Sequence, residues 1–424
     1  MMKNPLRTRF DVPGRGSRFN VLRWIERGLS YPISLFDILM FLSFLGLFAP
    51  VGMGIIGMQG IAYRMQLVGI AATGALACVS FRRIKIDAAF FLTLAMCTAF
   101  FISTMLYGDL SQYYIKTLLY FLQLWCVMNI GVHSNPRKML RIALLVLALV
   151  VIANALFMVV NLPSHPDGFS DAVNLEMWPL GHKNQFRDWF FPLVVAAALL
   201  DLYKNRRLSA ATILIMAIVI WCAVSANSAT STTILTLCCL IALLYAFGVI
   251  RGRAFNAVVG LGIYATVFVF CVLLRRVPLL SDFITHVLKR DLTFTGRAEI
   301  WDTAMRRIAE RPILGRGYHD ISTTELVTPY GQIVTHAHDA LLDTLYKYGV
   351  VGFVVVLALA LVCMWRLYQC RTSPVAIVIT IFLTGFLVCG VFGELYNIGF
   401  HFVLYLGFYS RELSSHLGVR GNYA

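Results

Sequence analysis

The sequence predicts an all-α, polytopic membrane protein with about twelve transmembrane helices and one large external loop containing short helices. Three observations predict this. The 424-residue chain is 59% hydrophobic and only 13% charged, more apolar surface than a soluble domain can bury. Its apolar residues come in long charge-free runs such as 351–362 and 375–388, not the short alternating segments of a membrane β-barrel. Finally, basic residues fall between alternate runs, the pattern of a protein threaded repeatedly through a bilayer.

The elements follow in order. Residues 1–32 form a basic leader with Lys3, Arg7, Arg9, Arg15, Arg18, Arg23 and Arg27, read as a cytoplasmic tail beside anionic lipid and not as a cleaved signal. Crossing the hydrocarbon takes roughly 20 apolar residues. Candidate spans are 33–56, 63–81, 86–107, 114–132, 140–162, 186–202, 208–225, 230–250, 254–274, 349–367, 375–396 and 398–410. Arg82-Arg83-Ile84-Lys85, Arg137-Lys138 with Arg141, Lys204-Asn205-Arg206-Arg207, Arg251-Gly252-Arg253 and Arg366 with Arg371 separate alternate pairs of these spans. With the N-terminus inside, every one of these clusters is cytoplasmic, as are both termini, including the tail 411–424. The domain plan is therefore spans over 33–274 with an external loop at 163–185, a long periplasmic loop at 275–335, and the last spans over 336–410.

Composition also excludes some classes. The net charge of +15 is spread over many short loops, so nucleic acid is not an expected partner. The cysteines lie within apolar runs, except Cys370, and no CxxC or Cys/His spacing indicates a disulfide framework or a zinc site. No DxD pair, Walker loop, dinucleotide-binding glycine pattern or Gly-x-Ser-x-Gly elbow occurs. No cofactor and no metal are expected, and any diphosphate must be held by arginines.

Chemistry is expected on the external face. In Thr335-His336-Ala337-His338-Asp339, His338 begins a helix that re-enters the membrane through Leu341, Leu342, Leu345 and Tyr346. A neutral imidazole there suits a general base, with Asp339 or Asp343 to orient it or to take part in binding; the alternative is a boundary histidine satisfied by loop carbonyls. Residues 297–311 read as an amphipathic helix through Trp301, Ala304, Met305 and Ile308, capped by Thr295 or Gly296 and ended by Pro312. Arg297 in its first turn suits phosphate oxygens; the alternative is a helix lying on lipid headgroups. In the segment 179–187, with His182 and Lys183, Arg187 stands at a membrane entry. It either snorkels outward or faces inward, where it needs an anion.

Four pieces resemble the O-antigen ligase and repeat-unit polymerase superfamily of bacterial surface-polysaccharide assembly. They are Gly181-His182-Lys183-Asn184, Thr295-Gly296-Arg297 with Ile300-Trp301, Arg311-Pro312-Ile313-Leu314-Gly315-Arg316-Gly317, and His338 followed by Gly349 and Gly352. Asp339 departs from the amide or hydroxyl residue usual after the motif histidine. The resemblance implies a metal-independent, inverting glycosyltransferase of the bacterial inner membrane, acting on its periplasmic face. It implies a polyprenyl-diphosphate-linked oligosaccharide donor, a glycan or lipid A core acceptor, and polysaccharide-assembly proteins as further partners. Carried onto this chain, His338 is the catalytic base and Arg297, Arg187, Arg290, Arg316, His336 and Lys183 are candidates to bind the diphosphate. Polymerisation of repeat units is favoured over ligation to lipid A core, because Gly-His-Lys-Asn resembles exopolysaccharide polymerases. Two other classes stand beside this reading. One is a twelve-helix transporter or glycolipid flippase, for which Asp37, Arg64, Lys116 and His401 are the candidate intramembrane groups and no internal repeat is visible. The other is a noncatalytic scaffold, which leaves the basic and histidine-rich loop unexplained.

Overall fold

The computed structural model describes residues 33–50, 52, 59–160, 177–205, 208–250, 252–274, 297–320, 322–324, 326–327, 331, 333–395 and 397–416. The basic leader, most of the 163–185 loop, the first part of the long loop with Arg290, Thr295 and Gly296, and the last eight residues lie outside them.

Every apolar run expected to span contains a helix among its described residues. The helices are α1 (Leu35–Leu47), α2 (Gln59–Val79), α3 (Ala88–Tyr107), α4 (Gln112–Ser134), α5 (Pro136–Val159), α6 (Arg187–Asn205), α7 (Ala210–Ser225), α8 (Ala229–Ala246) and α9 (Ala257–Phe268, running on as a π-helical turn to Leu273). After the long loop come α10 (Arg297–Glu310), α11 (Ala340–Gln369), α12 (Pro374–Gly390), α13 (Ile398–Phe408) and the short α14 (Ser410–Ser415). Three short 3-10 helices (Phe81–Arg83, Lys183–Gln185 and Gly252–Ala254) and two minimal hairpins complete the regular elements among the described residues: β1 (Met177–Trp178) with β2 (Gly181–His182), and β3 (Leu326–Val327) with β4 (Ile333–Val334). The fold is all-α.

Helix starts are fixed by short polar side chains. Ser34, Asp87, Ser111, Asn135, Ser209, Asn256, Asp339 and Asn397 each accept a hydrogen bond from a first-turn N–H, satisfying donors that a helix cannot satisfy itself. Six described helices are long and apolar enough to cross a membrane. On α5, Leu145, Leu149, Ile152 and Leu156 are each half-exposed or more at helical spacing, a stripe suited to lipid rather than water. α13 is the opposite case. Residues 399–408 are buried throughout, because α13 threads the centre of the bundle against α4, α6, α11 and α12.

α11 departs from expectation in two ways. It begins at Ala340, with Asp339 as its N-cap, so His338 precedes the helix and does not start it. It is also broken at Gly349, whose φ of 59° and ψ of −165° are non-helical. The break leaves carbonyls and N–H groups inside the bundle without helical partners, and the 312–317 turn supplies them. Arg316 and Gly317 donate to Tyr346 and Lys347 carbonyls at 2.9 and 2.7 Å, while Val350 and Val351 donate to Pro312 and Ile313 carbonyls at 2.8 and 3.1 Å. Gly315 and Gly349 face each other so closely that a Cβ on either overlaps the other's backbone. Two glycine-bearing motifs far apart in sequence thus form one joint.

Candidate active site

That joint, together with α10, sets the site. The apolar face of α10 (Ile300, Trp301, Ala304) packs with Leu326 of β3, Ala337, Leu342 and Tyr346 in a small separate core. This packing carries Arg297, the first residue of α10, to the segment preceding α11.

His338 is held from both sides. The N–H of Ala337 donates to Asp343 Oδ1 at 2.9 Å, and Asp339 Oδ1 accepts from the Leu342 N–H at 2.9 Å. Between these anchors His338 takes a φ of 52°, uncommon for a residue with a Cβ and the kind of local strain that persists only where neighbours impose it. Asp339 and Asp343 therefore position the backbone that carries His338, in place of the imidazole contact expected for them. Asp343 also accepts from Lys347 Nζ at 2.8 Å, a pair buried one helical turn below. A helix N-cap is filled equally well by Asn, Asp or Ser, so Asp339 departs from the usual pattern while keeping that local role.

The rings of His336 and His338 lie 4.0 Å apart, centroid to centroid. Burial pushes His338 down to about 2, reinforced by the charges of His336, Arg297, Lys347 and His182. Burial likewise lowers His182, to about 4, with Lys183 and Arg297 adding to the effect. Burial, then the nearby Arg187, depresses even the Arg297 guanidinium. Groups from β2, α6, α10, the pre-α11 segment and α11 thus share one electropositive centre. Among the described residues Arg297 and Lys183 have no hydrogen-bond or ion-pair partner, while Lys347 is paired with Asp343 and Glu394 supplies a carboxylate to the same centre.

Arg187 faces inward, as one of its two expected placements required. Its Nη1 donates to the Cys389 carbonyl at 3.0 Å and its Nη2 to the Glu394 carbonyl, with the Asp188 carboxylate 3.6 Å from Nε. Its charge reaches the centre while its donors fasten the loop between α12 and α13. Arg316 pairs with Glu310 at the exposed end of α10. Arg290 lies outside the described residues.

Three charged residues were missed in the sequence: Asp188, Lys347 and Glu394. Burial works against the Glu394 carboxylate, yet His336, Lys347 and Arg187 hold it below the usual range. The signal was present, because an ionisable residue inside an apolar run is costly and marks function by default. Glu394 sat at the edge of the 375–396 run and was absorbed into it. Conversely, His401 is a packing residue: its Nδ1 is 2.9 Å from the Asn397 carbonyl and its ring is 4.4 Å from Phe121. Asp37 forms an ion pair with Lys138 at 2.6 Å.

An apolar pocket of about 90 Å³ reaches Ala340 and Leu341, immediately after His338 and Asp339. It is lined by Leu261 and Tyr264 of α9, Leu341 of α11, and Leu387, Phe400 and Leu404. Cationic groups beside an apolar slot can receive a molecule that is anionic at one point and hydrocarbon beyond it.

No curated protein matches the chain. The family model described as O-Antigen ligase matches residues 189–357, from α6 to just past the Gly349 break, so Arg297, Arg316, His336 and His338 fall inside the match while Lys183 and Arg187 fall just before it. Residues 189–357 are therefore similar to the O-antigen ligase family, in a chain with six described helices long and apolar enough to cross a membrane.

Proposed function

We propose that the protein transfers a glycan from a polyprenyl-diphosphate carrier to an acceptor hydroxyl. The observation that carries this reading is the convergence of Arg297, Lys183 and Lys347 with three histidines, next in sequence to the Ala340 and Leu341 that line an apolar pocket. The pocket takes the first part of the polyprenyl chain, and the cations hold the diphosphate. His338 Nε2 or Nδ1 removes the proton of the acceptor hydroxyl as its oxygen bonds to the anomeric carbon. The bond from that carbon to the diphosphate oxygen breaks, and the electron pair leaves with the carrier. Attack opposite the leaving group inverts the anomeric centre.

Leaving-group stabilisation dominates. Each donor aimed at developing charge in a dry site is worth roughly 3–4 kcal/mol, whereas a positioned base contributes about a hundredfold or more. Because cations supply this stabilisation, the chemistry needs no metal ion. The base is also tuned by its substrate. The positive neighbours that depress His338 are neutralised when a diphosphate binds, so the imidazole becomes more basic once the donor is in place. The reaction belongs on the periplasmic face of a bacterial inner membrane, where carrier-linked glycans are presented after flipping. Within the family, joining one repeat unit to another is favoured over ligation to lipid A core by the Gly181-His182-Lys183-Asn184 segment, which contributes His182 and Lys183 to the centre.

The test is reconstitution of purified protein with carrier-linked repeats, with and without lipid A core. Lengthened carrier-linked glycan is the expected product, and it is expected to disappear in His338→Ala while membrane insertion persists. Normal product from His338→Ala removes the catalytic role, and product only in the presence of lipid A core makes the protein a ligase.

A further inference from the structure

A second cavity, of about 180 Å³, lies at the same end of the bundle between α1, α2, α4, α6 and the start of α13. Its lining differs in kind from the apolar pocket. Tyr113, Tyr120 and Trp189 supply aromatic surface, and Gln66, Lys116, Gln185, Asp188, Glu394 and Asn397 supply polar groups. The two spaces are separated by the start of α13: Leu395, Phe400 and His401 line the apolar one, Glu394, Asn397 and Gly399 the polar one. Glu394 joins the polar cavity to the cationic centre, since its carboxylate feels His336, Lys347 and Arg187.

Two buried polar atoms of lining residues have no hydrogen bond among the described residues: the Tyr120 hydroxyl and Asn397 Nδ2. Tyr120 is 8% exposed, so water does not relieve it freely. Unmade hydrogen bonds of this kind carry a desolvation penalty and are uncommon in native folds unless a ligand or bound water completes them. Charge then narrows the ligand. Among the described lining residues Lys116 is the single cation, already donating to Gln66 Oε1 at 2.9 Å, whereas Glu394 and the Arg187-paired Asp188 are both acidic. A phosphate is repelled; a neutral molecule rich in hydroxyl groups is not. Pockets that enclose a drug-sized ligand measure roughly 300–1,000 Å³, so this one fits a single ring and not an oligosaccharide.

We infer that this cavity is a subsite for one monosaccharide unit of a glycan substrate, with Tyr120 and Asn397 donating to its hydroxyls and the aromatic side chains lying against its ring. The inference rests on the glycan-transfer reading above. The sugar belongs either to the donor, next to the diphosphate, or to the acceptor.

The experiment uses the full chain in detergent and the variants Tyr120→Phe and Asn397→Ser. The first removes only the unpartnered oxygen; the second keeps a capping oxygen for the Phe400 N–H and loses the Nδ2 donor. Binding is measured calorimetrically with the oligosaccharide released by mild acid from carrier-linked repeats, and transfer is measured in parallel. Each variant is expected to melt at or above the wild-type midpoint and to bind the free oligosaccharide about five- to tenfold more weakly, the weight of one hydrogen bond. A rise in KM for the acceptor alone assigns the unit to the acceptor, and a rise for the donor alone assigns it to the donor. Unchanged binding in both variants overturns the subsite whether or not transfer is seen. Binding that is sensitive to both variants without any transfer by wild type leaves the subsite standing and removes the transfer reading.

Discussion

Gly349→Ala probes the joint on which the site's geometry depends. The backbone there, at φ 59° and ψ −165°, lies in a region essentially restricted to glycine, and a residue with a Cβ pays about 1–3 kcal/mol to occupy it. The added Cβ also meets the Ile313 carbonyl and, at 2.6 Å, the Gly315 nitrogen, overpacking worth about another 1–3 kcal/mol. The sum of roughly 2–6 kcal/mol is a large share of the 5–15 kcal/mol that stabilises a typical fold. Relief requires the 312–317 turn to withdraw, surrendering its hydrogen bonds to Tyr346, Lys347, Val350 and Val351 at about 1 kcal/mol each. Either route also disturbs the half-turn that anchors His338 through Asp343. The assay is thermal unfolding in detergent followed by intrinsic fluorescence, with transfer activity measured on the same samples. Gly74→Ala is the control, because a Cβ there meets nothing within 4 Å in the middle of α2, and alanine in a helix interior is neutral or stabilising by about 0.4–1 kcal/mol. We expect Gly349→Ala to melt well below wild type and lose activity, and Gly74→Ala to do neither. Equal melting and activity for the two variants refutes the joint.

Lys347→Met leaves Asp343 buried beside no direct counter-charge and is expected to destabilise by about 3–5 kcal/mol; Lys347→Met with Asp343→Asn should recover part of that loss, and a single variant that unfolds like wild type contradicts the pairing. The pH profiles of kcat and kcat/KM should differ. His338 must be neutral to act, so activity falls as pH drops through its pKa; that pKa is depressed in the free enzyme and raised by a bound diphosphate, so the acid limb of kcat should lie at higher pH than that of kcat/KM. Coincident limbs argue against substrate tuning of the base. Arg187→Lys should retain charge but lose the planar fork that reaches both the Cys389 and Glu394 carbonyls, lowering thermal stability measurably; a variant indistinguishable from wild type in melting shows that Arg187 does not fasten that loop.

Much of the fold was legible because each helix carries its own signal. Apolar runs and their capping residues are local, and basic clusters mark where runs end. The amphipathic helix carrying Arg297 was likewise readable from Trp301, Ala304 and Ile308, since its buried face repeats at helical spacing. What sequence alone could not show is long-range and backbone-mediated. The Gly349 break is satisfied by a turn more than thirty residues away, and nothing near Gly349 announces its partner. The roles of Asp339 and Asp343 were misjudged for a related reason: an acidic residue beside a histidine suggests a side-chain pair, but helix geometry turned one into a cap and tied the other to Lys347. The pair that Arg316 makes with Glu310, six residues earlier, is likewise not announced by its motif. Glu394 escaped notice because one carboxylate in an apolar stretch barely alters its mean hydropathy, although it is the acidic neighbour that the cations surround.

Affinity for the carrier itself probes the cationic centre most directly. Radiolabelled undecaprenyl diphosphate, with undecaprenol as the uncharged control, is titrated onto wild type, Arg297→Ala and Arg297→Lys in the same detergent. We expect wild type to bind the diphosphate far more tightly than the alcohol, Arg297→Ala to lose at least tenfold in affinity for the diphosphate alone, and Arg297→Lys to lose less. Equal affinity of all three proteins for the diphosphate, or no preference of wild type for it over the alcohol, contradicts a lipid diphosphate site between Arg297 and His338.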